Sequence, residues 1–164
     1  MIFVTVGTAD KGIEFDRLVE AMDRMAADLG QDVLIQRGTS AYEPRHARHV
    51  RFLSFGEALR FFRDADLVVG HCGAGTFINA LHFGKPLIVV PRRAGAGELD
   101  TDDHQIQLAA VAEGMEGVRV VHDVGDLEAA VRAFLASPGL RSKPSKERQP
   151  LVAAVREFLA APAA

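Results

Sequence analysis

Six short runs of β-branched and other apolar residues recur along this chain, separated by segments of helical spacing, and that alternation narrows the possible folds more than any other feature. The runs are Ile2 to Val6, Val33 to Gln36, Val50 to Leu53, Leu67 to Gly70, Leu87 to Val90 and Val118 to Val121. They are nearly continuous rather than alternating with polar residues, so they read as strands buried on both faces. Among the intervening segments the clearest is Phe15, Leu18, Val19, Met22, Met25, Ala26 and Leu29, whose spacings of three and four put them on one helical stripe. Strands alternating with helices predict an α/β domain, a Rossmann-like, doubly wound and mainly parallel sheet. With 164 residues and 48% apolar content there is room for one such domain. The expected layout is a domain over 1–136, a basic, breaker-rich linker over 137–146 (Ser137-Pro138-Gly139 through Arg141, Lys143, Pro144 and Lys146), and a C-terminal helix and tail over 147–164. Leu151, Val155, Phe158 and Leu159 form the apolar stripe of that last helix. No internal repeat is found.

Charge and cysteine content remove several classes of function. A net charge of -3 leaves no basic field to attract nucleic acid or anionic lipid, so no nucleic-acid partner is expected. The lone Cys72 has no intrachain disulfide partner, and six scattered histidines do not make a zinc spacing, so a reducing, cytoplasmic setting and no metal are expected. The chain opens on Ile2-Phe3-Val4 without a basic segment, and no apolar run approaches the ~20 residues of a membrane span. Neither a signal peptide nor a transmembrane helix is expected.

In doubly wound sheets ligands sit beyond the carboxyl ends of the strands, so the loops there carry the chemistry. The strongest is Gly70-His71-Cys72-Gly73-Ala74-Gly75-Thr76, after the fourth strand and before a helical segment that ends at Gly84-Lys85-Pro86. Glycines permit a tight turn and close approach to a ligand, and the following helix offers free N–H groups and a positive dipole end, a geometry suited to a diphosphate. A tight strand-to-helix turn, with His71 as a polar cap and Cys72 chosen for its size, explains the same residues. Two further polar loops would meet it: Gly7-Thr8-Ala9-Asp10-Lys11-Gly12 after the first strand, and Pro91-Arg92-Arg93 through Glu98, Asp102, Asp103, His104 and Gln105 after the fifth. One of Asp102 and Asp103 is expected to cap a helix, whereas Gln105 lies too far into the first turn to be a cap.

Taken in order, Phe3-Val4-Thr5-Val6-Gly7-Thr8, Ala65-Asp66-Leu67-Val68-Val69-Gly70-His71-Cys72-Gly73-Ala74-Gly75-Thr76, Gly84-Lys85-Pro86-Leu87-Ile88-Val89-Val90-Pro91-Arg92 and Asp102-Asp103-His104-Gln105 resemble the glycosyltransferase family 28 C-terminal domain. In size and layout the chain is similar to the small catalytic subunits of two-subunit transferases, both the N-acetylglucosaminyltransferase of dolichol-linked glycan assembly and bacterial exopolysaccharide relatives. The resemblance runs from Ile2 to about Ala112 and implies the donor-binding half of a GT-B glycosyltransferase. It implies that the loop of His71, Gly73, Ala74, Gly75 and Thr76 holds the diphosphate of a uridine diphosphate (UDP) sugar; the meeting of the loops adds Gly7 and Thr8 to that site, and Arg92, by its place after the fifth strand, is a candidate to face a phosphate. No metal or other cofactor is implied. By likeness to small-molecule glucosyl- and glucuronosyltransferases, Asp103 or His104 together with Gln105 would contact sugar hydroxyls. A GT-B acceptor site and general base belong to the other domain, so the resemblance also implies an acceptor-binding, membrane-associated partner subunit, a lipid-linked or polysaccharide acceptor, and no activity alone.

Two departures stand out. Asn79 occupies a position where the family often has an acidic ribose ligand, and a neutral acceptor there forfeits on the order of 1 kcal/mol. Gly97-Glu98-Leu99-Asp100-Thr101 replaces a shorter Gly-Glu-His run, which removes a histidine contact. A non-catalytic nucleotide-sugar sensor or assembly module therefore stands beside the transferase subunit, as does nucleotide-sugar epimerisation. His46, His49, His82 and His122 read as surface residues, the last two with no acidic neighbour. Arg92 and Arg93 are also explained as exposed arginines. Phe52, Phe55, Phe61 and Phe62 read as core, with the backbone near Phe55 as a frame for a base.

Overall fold

A computed structural model describes residues 1–8, 14–93, 98 and 104–137. Asp10, Asp102, Asp103, nearly all of the expected linker and the expected C-terminal helix lie outside the described residues.

Six parallel strands form one sheet in the order β3-β2-β1-β4-β5-β6. They are β1 (Ile2–Thr5), β2 (Val33–Gln36), β3 (Arg48–Val50), β4 (Leu67–His71), β5 (Leu87–Val90) and β6 (Val118–Val120). The helices are α1 (Asp16–Ala26), α2 (Phe55–Asp64), α3 (Ala74–His82), α4 (His104–Ala112) and α5 (Leu127–Ala136). Ile2 of β1 pairs with Val33 of β2 on one side and Leu67 of β4 on the other, so chain order reverses between β1 and β4. That reversal opens a crevice at the carboxyl ends of these two strands, the usual ligand position in such sheets.

Successive strand residues face opposite ways, and the core divides accordingly. Ile2 and Val4 join Leu18, Val19 and Met22 of α1 and Leu127 and Val131 of α5. Phe3 joins Phe62 of α2, Phe77 and Ala80 of α3, and Leu108, Ala109 and Ala112 of α4. Each large side chain so buried contributes roughly 1.5–3 kcal/mol. The α1 stripe is as expected: Phe15, Leu18, Val19, Met22 and Met25 are buried, and Ala26 and Leu29 pack against them.

The third strand is displaced from its expected position. It spans Arg48–Val50 rather than Val50 to Leu53. As the sheet's edge strand it is only partly covered, so the apolar run used to find buried strands does not mark it. The chain leaves the sheet where Phe52 and Leu53 stand and enters α2 through a capping box. There the Ser54 side chain accepts from Glu57 N, and Ser54 N donates to the Glu57 carboxylate. Phe52 and Phe55, expected in the core, are 51% and 75% exposed because they occupy this crossing, whereas Phe62 is buried.

The turn into β3 is organised by one buried carboxylate, Asp23 of α1. It accepts from Tyr42 Oη and Arg45 N at 2.9 Å, and from His46 N and Ala47 N at 2.8 Å. Burial works to raise its pKa, but these hydrogen bonds outweigh it and hold the carboxyl below its ordinary range. Among the described residues no helix is long and apolar enough to cross a membrane.

Candidate functional site

The loops after β1 and β4 converge at the crevice, with the segment entering α2 beside them. After β4 the chain turns at Gly73, the N-cap of α3, and no side chain caps that helix. The first N–H groups of α3 therefore have no intrahelical partner and carry the positive end of its dipole. Beside them, two residues past the end of β1, stands Gly7, whose φ of +77° suits glycine.

The His71 imidazole lies between these glycines. A Cβ on Gly7 would fall 2.6 Å from His71 Cε1, and one on Gly73 would overlap the ring's Nε2 edge. Gly70 is constrained separately, since a Cβ there would lie 2.9 Å from Thr5 O. The glycines thus make room for His71 and for close packing of β4 against β1. Gly75, with nothing near its Cβ direction, is open. Thr76 is buried, with Oγ1 3.4 Å from His71 Nδ1. Enclosure of the ring and the positive charge of Arg92 push the His71 pKa down to about 4, against a backbone hydrogen bond with Thr5 that acts to raise it. The imidazole is neutral at pH 7, ready to hydrogen-bond without bringing a charge of its own. Burial pushes the Cys72 thiol up to about 12, which keeps it protonated and unreactive.

A cavity of about 280 Å³ opens between the loops. Thr5, Gly7, Thr8, Gln36, His71, Gly75, Thr76 and Asn79 form its polar part, and Phe3, Leu53, Phe55, Ala58 and Phe62 its apolar part. Asn79 sits one turn beyond Gly75 and donates from Nδ2 to Gly75 O at 2.8 Å. A larger hollow of about 810 Å³ lies along β6 and α5. It is lined by residues such as Val118, Val120, Ala129 and Ala133 and follows the edge strand β6 rather than the point between β1 and β4 where chain order reverses, so we assign the site to the smaller cavity.

Arg92 supports the site from behind rather than lining it. The side chain is buried, not exposed: Nη2 donates to Val6 O at 2.7 Å, and the guanidinium lies 5.2 Å from the centre of the Phe15 ring. Burial lowers its pKa while nearby Glu98 raises it. Glu98 joins the loops by accepting from Arg17 Nε at 2.6 Å and from Arg93 N at 2.8 Å. Arg93 is half-exposed and donates to His122 O at 2.7 Å. His122 does have an acidic neighbour, Glu113 Oε1 at 3.0 Å, because the end of α4 passes beside it, a proximity across nine residues that sequence spacing hides.

Gln105 lies in the first turn of α4, where its Oε1 accepts from Arg92 N at 3.2 Å and fixes the helix start to the end of β5. His104 begins α4, and Asp103 lies outside the described residues. Sequence reasoning passed over Gln36, Arg17, Asp23 and the tie made by Glu98. A polar residue closing the apolar run Val33-Leu34-Ile35 was the available signal for Gln36.

The glycosyltransferase family 28 C-terminal domain matches residues 1–156. The chain belongs to this family. This family 28 chain is similar in sequence to proteins named as transferase subunits. It is 30% identical over 149 residues to the Homo sapiens UDP-N-acetylglucosamine transferase subunit ALG13, covering 84% of this chain and 12% of that protein. To the Mus musculus subunit of the same name it is 35% identical over 118 residues, covering 65% of this chain and 9% of that protein. The family 28 chain therefore spans a small part of these relatives. Among solved structures it resembles the glycotransferase of kitacinnamycin, with a TM-score of 0.62 and 20% identity over 98% of this chain and 40% of that one. It also resembles Os79 from O. sativa in complex with UDP, with a TM-score of 0.57 and 16% identity over 96% of this chain and 35% of that one. At these identities the structural likeness shows a shared fold, the parallel α/β half of a GT-B glycosyltransferase.

Proposed function

We propose that this domain binds the UDP-sugar donor of a glycosyltransferase and works with a separate acceptor-binding subunit. The observation that carries this reading is the uncapped N-terminus of α3, which meets the Gly7 loop and a neutral His71 at the point where strand order reverses. The diphosphate lies against the Gly73 to Thr76 turn and Gly7-Thr8, the ribose near Asn79, and the base along Leu53 and Phe55. Gln105, in the first turn of α4, is assigned to the sugar in this reading. Ala74 contributes backbone only, and Arg92 contributes positive potential through Val6 and His71 rather than direct contact.

Similarity to UDP-N-acetylglucosamine transferase subunits supports N-acetylglucosamine as the sugar and a heteromeric assembly. The acceptor in this reading is lipid-linked or a polysaccharide, and the partner associates with the membrane while this domain stays cytoplasmic. Transfer needs a base within reach of the acceptor hydroxyl, which the partner supplies, while this domain stabilises the departing diphosphate electrostatically. The reading assigns no role to a metal.

Titration of the ¹⁵N-labelled protein with UDP tests the reading. Gly7, Thr8, Gly73, Gly75 and Thr76 amides should shift without divalent metal. Unchanged amides at millimolar UDP would defeat it, and a strict Mg²⁺ or Mn²⁺ requirement would defeat its metal-free form. Asn79, turned back to Gly75 O, favours a second reading in which the nucleotide sugar is bound but not transferred. Sugar transfer by the co-purified complex, absent from either subunit alone, would exclude that reading.

A further inference from the structure

We propose that Gln36 is a positioning residue that sets the diphosphate-facing loop in its binding conformation before any ligand arrives. Only the identity of the ligand rests on the donor reading above. Gln36 closes β2, is buried, and uses every polar atom of its amide. Oε1 accepts from Thr5 Oγ1 at 2.6 Å, and Nε2 donates to Gly7 O at 3.0 Å and to Arg51 O at 3.1 Å. Thr5 Oγ1 in turn accepts from Gly7 N at 3.2 Å, so both backbone polar groups of Gly7 are tied, directly or through Thr5, to this one amide.

The two carbonyls it holds belong to different segments. Gly7 lines the cavity, and Arg51 stands two residues before Leu53, which lines it as well. Their dependence on Gln36 differs. Arg51 O also accepts from Gly38 N at 2.8 Å, whereas Gly7 O has no other donor among the described residues. Loss of the amide therefore falls chiefly on the Gly7 loop. No other side chain of this length does the same work: methionine brings no hydrogen bonds, and a glutamate carboxylate has no donor for Gly7 O. With Gly7 released, only a fraction of molecules hold the loop ready, and affinity falls by that fraction.

The test is Gln36→Met in the full chain, with Ile35→Val as a control that weakens the same strand without touching the amide. In ligand-free protein Gln36→Met should broaden or shift the Gly7 and Thr8 amide resonances, and its UDP dissociation constant should rise by about tenfold. Ile35→Val should leave both readouts as in wild type. Should Gln36→Met fail to fold, Thr5→Val removes the Thr5 leg of the network at similar volume and should loosen Gly7 in the same way. Wild-type Gly7 and Thr8 signals in the folded variant, or an equal loss of affinity in Ile35→Val, would overturn the proposal. If wild type itself does not bind UDP, the donor reading falls, and the amide signals alone then decide the role of Gln36.

Discussion

The imidazole of His71 stands in the space that a side chain on Gly7 would require, with Cε1 only 2.6 Å from where that Cβ would sit. Gly7 also has φ +77°, so alanine there is strained by its backbone as well as by the ring. Gly73 has an ordinary φ of -104° and meets only the ring. Gly73→Ala should therefore displace His71 at little backbone cost, lowering UDP affinity by about tenfold or more while the unfolding midpoint moves little. Gly7→Ala should lose both affinity and about 1–2 kcal/mol of stability. Calorimetric titration with UDP and urea unfolding of the two variants check this. Equal stability losses would mean the ring, not the dihedral, dominates at Gly7.

His71 also gives the fold a pH dependence of known sign. Its pKa is lowered from 6.5 to about 4 in the folded protein. As pH falls below about 6.5 the unfolded chain takes up a proton that the folded chain does not, so stability declines until about pH 4, where the folded ring protonates too. The loss reaches at most about 3 kcal/mol across that window. His71→Gln should flatten this part of the profile. Urea unfolding at half-unit pH steps measures it, and identical slopes in variant and wild type would assign the decline to carboxylates instead.

The Asp23 carboxylate is tested by removal. Asp23→Ala leaves the N–H groups of Arg45, His46 and Ala47 and the Tyr42 hydroxyl without their acceptor. Buried unpaired groups of this kind cost about 1–3 kcal/mol each before relaxation, so a total loss of roughly 3–5 kcal/mol is expected. Amide exchange should accelerate most at residues 45 to 47 and along β3. Faster exchange spread evenly over the sheet would show that Asp23 supports the whole core rather than this turn.

The layered fold was legible because buried parallel strands and amphipathic helices write their periods into the sequence. β3 was not, since a half-covered edge strand carries Arg48 and His49 rather than an apolar run. The glycine loops were legible as a site, yet the reason for Gly7, the volume of His71, is a contact across the sheet from the loop after β1 to β4. Arg92 beside Arg93 reads as surface charge, and only the fold shows that the first turns inward to Val6 O while the second stays half-exposed. Asp23 is similarly hidden, because a helix pattern assigns polar residues outward and cannot see the three N–H groups brought back to it by the turn into β3.

Asn79 offers the most direct test of how the donor lies. It borders the cavity one turn into α3, and its amide donates to Gly75 O, so its side chain is turned along its own helix. A carboxylate at this position cannot make that bond and would project its oxygens away from Gly75 O, toward the space assigned to the ribose. There it could accept from both ribose hydroxyls, and charged acceptors form the stronger hydrogen bonds. Asn79→Glu is therefore expected to tighten UDP binding by about fivefold to tenfold, close to 1 kcal/mol. The added charge also repels the diphosphate, so the gain must come through the sugar hydroxyls if it appears at all. Parallel titrations with UDP and 2′-deoxy-UDP separate the two effects: the gain should be present for UDP and largely lost for the deoxy ligand. Equal changes for both ligands, or weaker binding of UDP in a folded variant, would place the ribose away from Asn79.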